Sequence, residues 1–161
     1  MHKFLTITAA TALTIGLTAG LASAETHDAA GKGMGTEANE VFGISDGQAV
    51  VKSQTNYESF EVAAGHPLEG ASGMCFGSIL VNGAGVSGTG NCVFDTASGD
   101  KAVMTWIATG RGADGALTGD WTVSGGSGNW ASATGGGTFS SLTDPDSRTF
   151  VNTITGSITI D

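Results

Sequence analysis

Frequent glycine is the feature of this sequence that most constrains its fold. Its 161 residues include 27 Gly but only 2 Pro, and the glycines follow no three-residue period, so a collagen-like helix is excluded. Beyond residue 40, short apolar runs are separated by Gly, Asn, Asp and Ser. Many of these runs alternate between apolar and polar residues, and helical spacing is not sustained after residue 24. The sequence therefore predicts an all-β fold.

The last strand gives the clearest alternation. From Phe150 to Asp161, most apolar residues and Asn152 fall on one face, and mostly Thr and Ser fall on the other. Further strands are expected over Gln48–Asn56, Cys75–Val81, Gly90–Thr96, Ala102–Thr109 and Leu117–Val123, with weaker patterns over Tyr57–Val62 and Trp130–Phe139. So many short antiparallel strands predict a sandwich or a barrel. Glycine inside the strands favours an antiparallel barrel of about eight strands, because tight bends and coiling need residues without Cβ.

The two cysteines test this pattern. If Gly83 and Ala84 form a two-residue hairpin loop, Cys75 and Cys92 face each other on adjacent antiparallel strands. They would then occupy a non-hydrogen-bonded pair, whose Cα atoms lie about 4.5 Å apart, at the short end of what a disulfide spans. We therefore predict one structural disulfide in a glycine-rich hairpin. The alternative is a pair of buried free thiols.

The first 24 residues predict export. Basic His2–Lys3 precede the apolar run Phe4–Leu21, and Ala22–Ala24 supplies a small-residue cleavage site, as in a signal peptide. A transmembrane helix is the alternative, because the run is almost long enough to span a bilayer. Its Thr and Gly residues and the cleavage site favour a signal peptide that is cleaved off over a transmembrane helix. No later stretch is apolar enough to span a membrane. The mature protein is expected in the periplasm or outside the cell, where disulfides form.

The mature chain is predicted to have two parts. Residues 25–40 lack an apolar period, which is typical of a flexible N-terminal segment. Residues 41–161 are predicted to form the β-barrel domain, and this length suits a single compact domain.

Charge and motif context exclude several functions. The chain has 6 basic and 15 acidic residues and a formal charge of −9, whereas nucleic-acid binding needs a cationic surface for the phosphates. Gly83–Gly88 matches the dinucleotide-binding fingerprint, and Gly43–Gly47 matches the nucleophile elbow of hydrolases. Both motifs need a strand followed by a helix, which this pattern does not offer.

His27 is a candidate metal ligand. If cleavage follows Ala24, His27 becomes the third residue of the mature chain. The terminal amine, two backbone nitrogens and the imidazole could then bind Cu(II) or Ni(II) in a square plane. The alternative is a solvated histidine in a tail.

Four residues are candidates for lining an internal ligand cavity: Trp106, Trp121, Phe76 and Asn152. Large aromatic side chains fill barrel interiors, and some of them can line a cavity instead. An amide on the apolar face of the last strand is either paired in the core or available to orient a ligand. The residues identify no catalytic group.

The segment from Gly90 to Phe139 carries a family resemblance. Gly90–Asp95 and Ser98–Lys101 lead to Trp106, and Gly125–Phe139 follows with the sequence GGSGNWASATGGGTF. This pattern resembles the small exported bacterial members of the allene oxide cyclase/dirigent-like barrel group, which share a Gly-Asp turn before a Trp-bearing strand and a similar glycine-rich segment. The resemblance implies an eight-stranded antiparallel barrel, often oligomeric, with an apolar cavity for hydrophobic compounds and no cofactor. Plant relatives steer the cyclisation of an unstable epoxide or the coupling of phenoxy radicals.

These expectations leave three functions open. The first is a binding module whose barrel holds a small hydrophobic molecule, with Asn152 as an orienting polar group. The second is a cofactor-free cyclase or isomerase that works in the same cavity by confining a reactive substrate. The third is a structural or interaction protein with a filled barrel. A homo-oligomer is compatible with each of them.

Overall fold

The computed structural model describes residues 24–160, which form an all-β structure. Its elements in chain order are the strands β1 (Glu25–Asp28), β2 (Gly31–Glu37), β3 (Glu40–Ser45), β4 (Gln48–Glu61), β5 (Ser72–Asn82), β6 (Gly85–Asp95), β7 (Lys101–Arg111) and β8 (Leu117–Gly126), a 3₁₀ helix (Gly128–Trp130), and the strands β9 (Thr134–Asp144) and β10 (Thr149–Ile160). Over this range, no helix has the length and apolar character needed to cross a bilayer. The predicted signal peptide lies outside the described residues apart from Ala24.

Eight of the strands close into an antiparallel barrel. The strands β2 and β4 to β10 follow one another around the wall, and β2 pairs with both β10 and β4, which completes the ring. The two remaining strands extend it, because β1 pairs with the end of β10 and β3 pairs with the start of β4. The predicted antiparallel barrel of about eight strands is confirmed.

The strands predicted from alternation correspond to β4 to β10. Gln48–Asn56 and Tyr57–Val62 merge into β4, the longest strand. The weak pattern over Trp130–Phe139 divides, because its first residue ends the 3₁₀ helix and β9 begins only at Thr134. In β10 the inward face carries the predicted Phe150, Asn152, Ile154 and Ile158, which are all buried.

The hairpin between β5 and β6 has the predicted pairing. Asn82 lies opposite Gly85 across a two-residue loop, and Cys75 lies opposite Cys92. The two cysteines form a disulfide with their Cα atoms 3.9 Å apart. A bridge that closes a loop of this size restricts the unfolded chain by about 3 kcal/mol in the chain-entropy account. The bridge therefore fastens two neighbouring strands of the barrel wall, and the alternative of free thiols was wrong.

Residues 25–40 are not a flexible segment, and that prediction was wrong. β1 pairs with β10, and β2 is the strand that closes the barrel. The sequence pattern does not reveal β2 because its inward positions are Gly31, Gly33, Gly35 and Glu37, so no apolar side chain marks the buried face. A methyl group added at Gly33 would lie 2.5 Å from Cε1 of Tyr57, a residue of β4. The barrel therefore begins before its predicted boundary.

Glycine also leaves space for an aromatic ring at a second place inside the barrel. Gly77 and Gly90 lie opposite each other on β5 and β6, and Trp106 lies opposite Gly90 on β7. A Cβ atom at either glycine would lie 2.5 Å from Cζ2 of Trp106. The indole thus occupies the space that side chains at these two positions would take, which is why glycine is needed inside these strands.

Substitution of Gly33 by alanine should destabilise the protein by about 1–3 kcal/mol, because the added methyl group overpacks the wall against Tyr57. Gly43→Ala is the matched control, since Gly43 also lies in a strand but has no neighbouring atom within 4 Å of the place that the added methyl group would take. We expect this second change to stay within about 0.5 kcal/mol. Urea unfolding of both variants measures the difference, and equal midpoints would show that β2 is not part of the barrel wall.

Candidate functional site

The barrel encloses a cavity of about 130 Å³. Its walls are mostly aromatic and aliphatic, and the largest apolar side chains that line it are Phe94, Met104, Trp106, Trp121, Phe139 and Ile154. Cys75 and Cys92 also face the cavity, so the disulfide is part of its wall. Mostly apolar walls with a few polar groups are typical of small-molecule sites.

A pair of polar side chains, Tyr57 and Asn152, lies within this apolar lining. Nδ2 of Asn152 donates a hydrogen bond of 2.8 Å to Oη of Tyr57. Both residues are buried, with 8 % and 7 % of Asn152 and Tyr57 exposed. Oδ1 of Asn152 is buried and accepts no hydrogen bond from residues 24–160. A buried acceptor without a partner is costly, so this carbonyl is ready to accept a hydrogen bond from a molecule inside the cavity.

Aromatic neighbours hold the Tyr57 ring in place. The rings of Phe94 and Phe150 contact it edge-on at 5.3 and 4.7 Å between centroids, and Phe60 stacks on it at 5.4 Å. Burial raises the pKa of Tyr57 from 10.0 to about 12, although the hydrogen bond from Asn152 acts in the opposite direction. The hydroxyl therefore keeps its proton at neutral pH, and no acceptor for that proton is found in the described part of the chain.

Polar residues line one end of the cavity, which is its mouth. They are Glu37, Asn39, Ser53, Thr55, Ser141 and Thr143, and each is partly exposed. Oε2 of Glu37 accepts hydrogen bonds from Nδ2 of Asn39 at 2.6 Å and Oγ1 of Thr143 at 3.3 Å. The carboxylate is thereby held across strands β2 and β9 at the entrance.

The loop between β4 and β5 covers the other end of the barrel. Leu68 from this loop is 1 % exposed and lines the cavity. Its backbone N–H donates a hydrogen bond of 3.0 Å to Nδ1 of His66, which is itself buried. The His66 ring contacts His27 of β1 edge-on, with 6.3 Å between the ring centroids. A neutral His66 thus supports the loop that places Leu68 at this closed end of the cavity, which we call the cavity floor.

Three of the four predicted cavity residues line the cavity, and one does not. Trp106, Trp121 and Asn152 face inward, and Nε1 of Trp121 donates a hydrogen bond of 3.1 Å to the backbone oxygen of Thr155. Phe76 is 48 % exposed on the outer wall, so its placement in the cavity was wrong. It lies outside because side chains alternate along β5 and its neighbour Cys75 faces inward.

Sequence reasoning missed Tyr57 and Glu37. Tyr57 lies where two predicted strands were separated, and the pairing of β2 with β4 shifts register at this point, between Met34 and Gly35. Such a bulge brings both Tyr57 and Phe60 to the inner face, which no simple alternation predicts. Glu37 lies in the segment expected to be flexible. The one available signal was that Tyr57 is the only tyrosine of the chain.

The predicted copper or nickel site at His27 stays a prediction, because it needs the free amino terminus that cleavage after Ala24 would produce. In the structure His27 lies on β1, opposite Ile158 of β10. Among residues 24–160, no group of three or more His, Cys, Asp or Glu side chains is arranged to hold a metal ion.

Comparisons of the chain with models of known protein families and with curated protein sequences found no match. The fold and the cavity define a class of protein by themselves, namely a closed antiparallel barrel with a mostly apolar chamber and a polar mouth. The resemblance to the allene oxide cyclase/dirigent-like group stays a prediction from the sequence.

Tyr57 should titrate about two pH units above an unfolded tyrosine, with its pKa at about 12. At about pH 11, tyrosinate absorbance should be weak in the native protein and strong after denaturation in guanidinium chloride. Because the unfolded state loses its proton first, the free energy of unfolding should fall as the pH rises from 10.0 to about 12. Since the chain has a single tyrosine, the signal needs no deconvolution.

Replacing Asn152 by leucine should raise the Tyr57 pKa further, because the amide that favours the ionised form is removed. Asn56→Leu, an exposed change on the outer face of β4, is the control and should leave the titration unchanged. If Tyr57 of the native wild-type protein titrated near the ordinary tyrosine pKa of 10.0, its buried placement would be contradicted.

Acidification should loosen the cavity floor. Burial, and then His27, lower the pKa of His66 below 6.5, against the opposing effects of Asp28 and Glu69. The unfolded state therefore binds a proton before the folded state does, and stability is lost as the pH falls below 6.5. Protonation of Nδ1 also removes the acceptor for the Leu68 N–H.

His66→Asn keeps an acceptor near the position of Nδ1 without a titratable ring, so its stability should fall less than that of the wild type on acidification. His27→Asn controls for the second histidine. Thermal unfolding between neutral and mildly acidic pH measures the slopes, and identical slopes for wild type and His66→Asn would contradict the assigned role.

Proposed function

We propose that this protein is an exported β-barrel that binds a small hydrophobic molecule in its cavity, with a polar group of the ligand hydrogen-bonded to Asn152. The observation that carries the proposal is the unpartnered Oδ1 of Asn152, buried in a wall that is otherwise mostly apolar. Apolar surface supplies affinity, at about 25 cal/mol per Å² buried. The amide and the Tyr57 hydroxyl supply orientation.

The cavity volume limits the size of the ligand. An apolar protein cavity of about 150 Å³ is sufficient for benzene, and the cavity here measures about 130 Å³. A single ring is therefore the upper limit for the enclosed part, and a substituent can extend toward the mouth. The same volume argues against a barrel filled by its own side chains.

Export is part of the proposal. It is supported by the signal-peptide pattern in residues 1–24 and by the Cys75–Cys92 disulfide, since disulfides persist in the periplasm and outside the cell.

A cofactor-free cyclase or isomerase is the second candidate, and Tyr57 is the observation that favours it. A tyrosine that keeps its proton in an apolar cavity can donate a hydrogen bond to oxygen that gains negative charge during a reaction. Binding is preferred because Glu37, the one carboxylate among the described cavity-lining residues, makes its hydrogen bonds with Asn39 and Thr143 and none with Tyr57. Acid–base chemistry at the ring would need such a group within hydrogen-bonding distance.

Phenol and benzene form a matched pair of probes for this proposal. Phenol should bind more tightly, by about twofold to tenfold, because its hydroxyl donates to Oδ1 of Asn152. Isothermal titration calorimetry gives both affinities, and fluorescence of Trp106 and Trp121 reports occupation of the cavity that they line. In Asn152→Leu the preference for phenol should disappear while benzene still binds.

Asn56→Leu is the control, since it makes the same change on the outer wall and should bind both probes like the wild type. Native mass spectrometry of protein purified from its own host should in addition detect a retained small molecule. The proposal fails if neither probe binds to the folded wild-type protein, or if the Asn152 variant keeps the full preference for phenol.

A further inference from the structure

The cavity holds a neutral polar pair in its depth and, among the polar residues of its mouth, one carboxylate. The neutral pair is Tyr57 and Asn152, and the carboxylate is Glu37. Among the described residues that line the cavity, Glu37 is the only acid, and they include no Lys, Arg or His. A ligand that fills the cavity therefore meets an uncharged acceptor at one end and a negative charge at the other.

The Glu37 carboxylate is oriented but not neutralised. Both of its hydrogen bonds, from Asn39 and Thr143, go to Oε2. Oε1 accepts none from residues 24–160, and no ion pair of the described chain includes Glu37. The backbone of Glu37 donates to the carbonyl of Arg148, but the Arg148 guanidinium is not paired with the carboxylate. One carboxylate oxygen thus stays available at the entrance.

Strand pairing sets the distance between the neutral pair and the carboxylate. Glu37 and Gly33 lie on the same inward face of β2, and Gly33 lies opposite Asn152 on β10. Four residues of strand correspond to about 13 Å between the Cα atoms of Gly33 and Glu37. A single ring that carries a hydroxyl at one end and a short aminoalkyl arm at the other has a matching length.

We propose that the cavity selects a ligand with a hydroxyl group and a protonated amine at opposite ends of an apolar ring. The hydroxyl is held by Asn152 and Tyr57, and the amine is held by Oε1 of Glu37. This inference rests on the proposed function and adds the chemical class of the ligand. A carboxylate at the same end of the ligand is rejected, because like charges repel at the mouth of a cavity in a chain of net charge −9.

Three probes that share a phenol ring test the proposal: tyramine, 4-ethylphenol and 3-(4-hydroxyphenyl)propionate. They carry an ammonium group, no charge and a carboxylate at the mouth end, respectively. Calorimetry at neutral pH and low salt should give tyramine the highest affinity, about tenfold or more above 4-ethylphenol, as expected for a hydrogen bond to a charged group. The propionate should bind most weakly.

Glu37→Gln should remove most of the tyramine advantage while 4-ethylphenol binds as before. Glu58→Gln is the matched control, since it removes one negative charge from an exposed position of β4, and it should preserve the order of the three probes. High salt supplies a measurement that needs no variant, because screening should reduce the tyramine advantage of the wild type and leave 4-ethylphenol unchanged.

The outcomes separate the two proposals. If 4-ethylphenol binds but tyramine gains nothing over it in the wild type, the amine preference is refuted and the proposed binding function stands. If the advantage persists in Glu37→Gln, the amine is held elsewhere and the role of Glu37 is refuted. If none of the three probes binds, the proposed function fails and this inference fails with it.

Discussion

Closure of the barrel depends on the glycines on the inner face of β2. This strand pairs with β10 on one side and with β4 on the other, so the ring is complete only if β2 fits between them. A side chain at Gly33 on its inner face would collide with the rings that already fill this space, since a methyl group there would lie 2.5 Å from Tyr57 and 3.1 Å from Phe60. Glycine thus lets the wall close around large aromatic residues, at the entropic cost that glycine carries in a strand.

The cavity follows from the same arrangement. Aromatic rings pack against bare backbone at the walls, as Trp106 does against Gly77 and Gly90, and this leaves space along the barrel axis. The Tyr57 and Asn152 pair lies in that space with one carbonyl unpaired. A buried polar group in this state lowers stability, and proteins often accept such a loss where a ligand binds. The stability of the barrel and the chemistry of its interior therefore depend on the same few residues.

The parts of the fold that the sequence predicted are those with local signals. The loop Gly83–Ala84 and the spacing of Cys75 and Cys92 were sufficient to predict a hairpin, its register and its disulfide. Alternation in β10 was sufficient to predict its buried face, including Asn152. In contrast, β2 has glycine where a buried strand normally has apolar residues, so it carried no signal, and the barrel was predicted to begin too late.

The site could be predicted only in part, because its geometry depends on pairing between distant strands. Trp106, Trp121 and Asn152 were expected in the cavity from residue type and alternation, whereas Phe76 has the right residue type on the wrong face of β5. Tyr57 reaches the cavity through a shift in the pairing of β2 with β4, and the contact of Asn152 with Tyr57 joins residues 95 positions apart. The sequence by itself determined the all-β class, the hairpin with its disulfide and the face of the last strand, because turn chemistry and side-chain alternation act over a few residues. Only the tertiary structure decided which strand closes the barrel and which polar groups meet inside it, because these depend on how side chains from separate strands share one enclosed space.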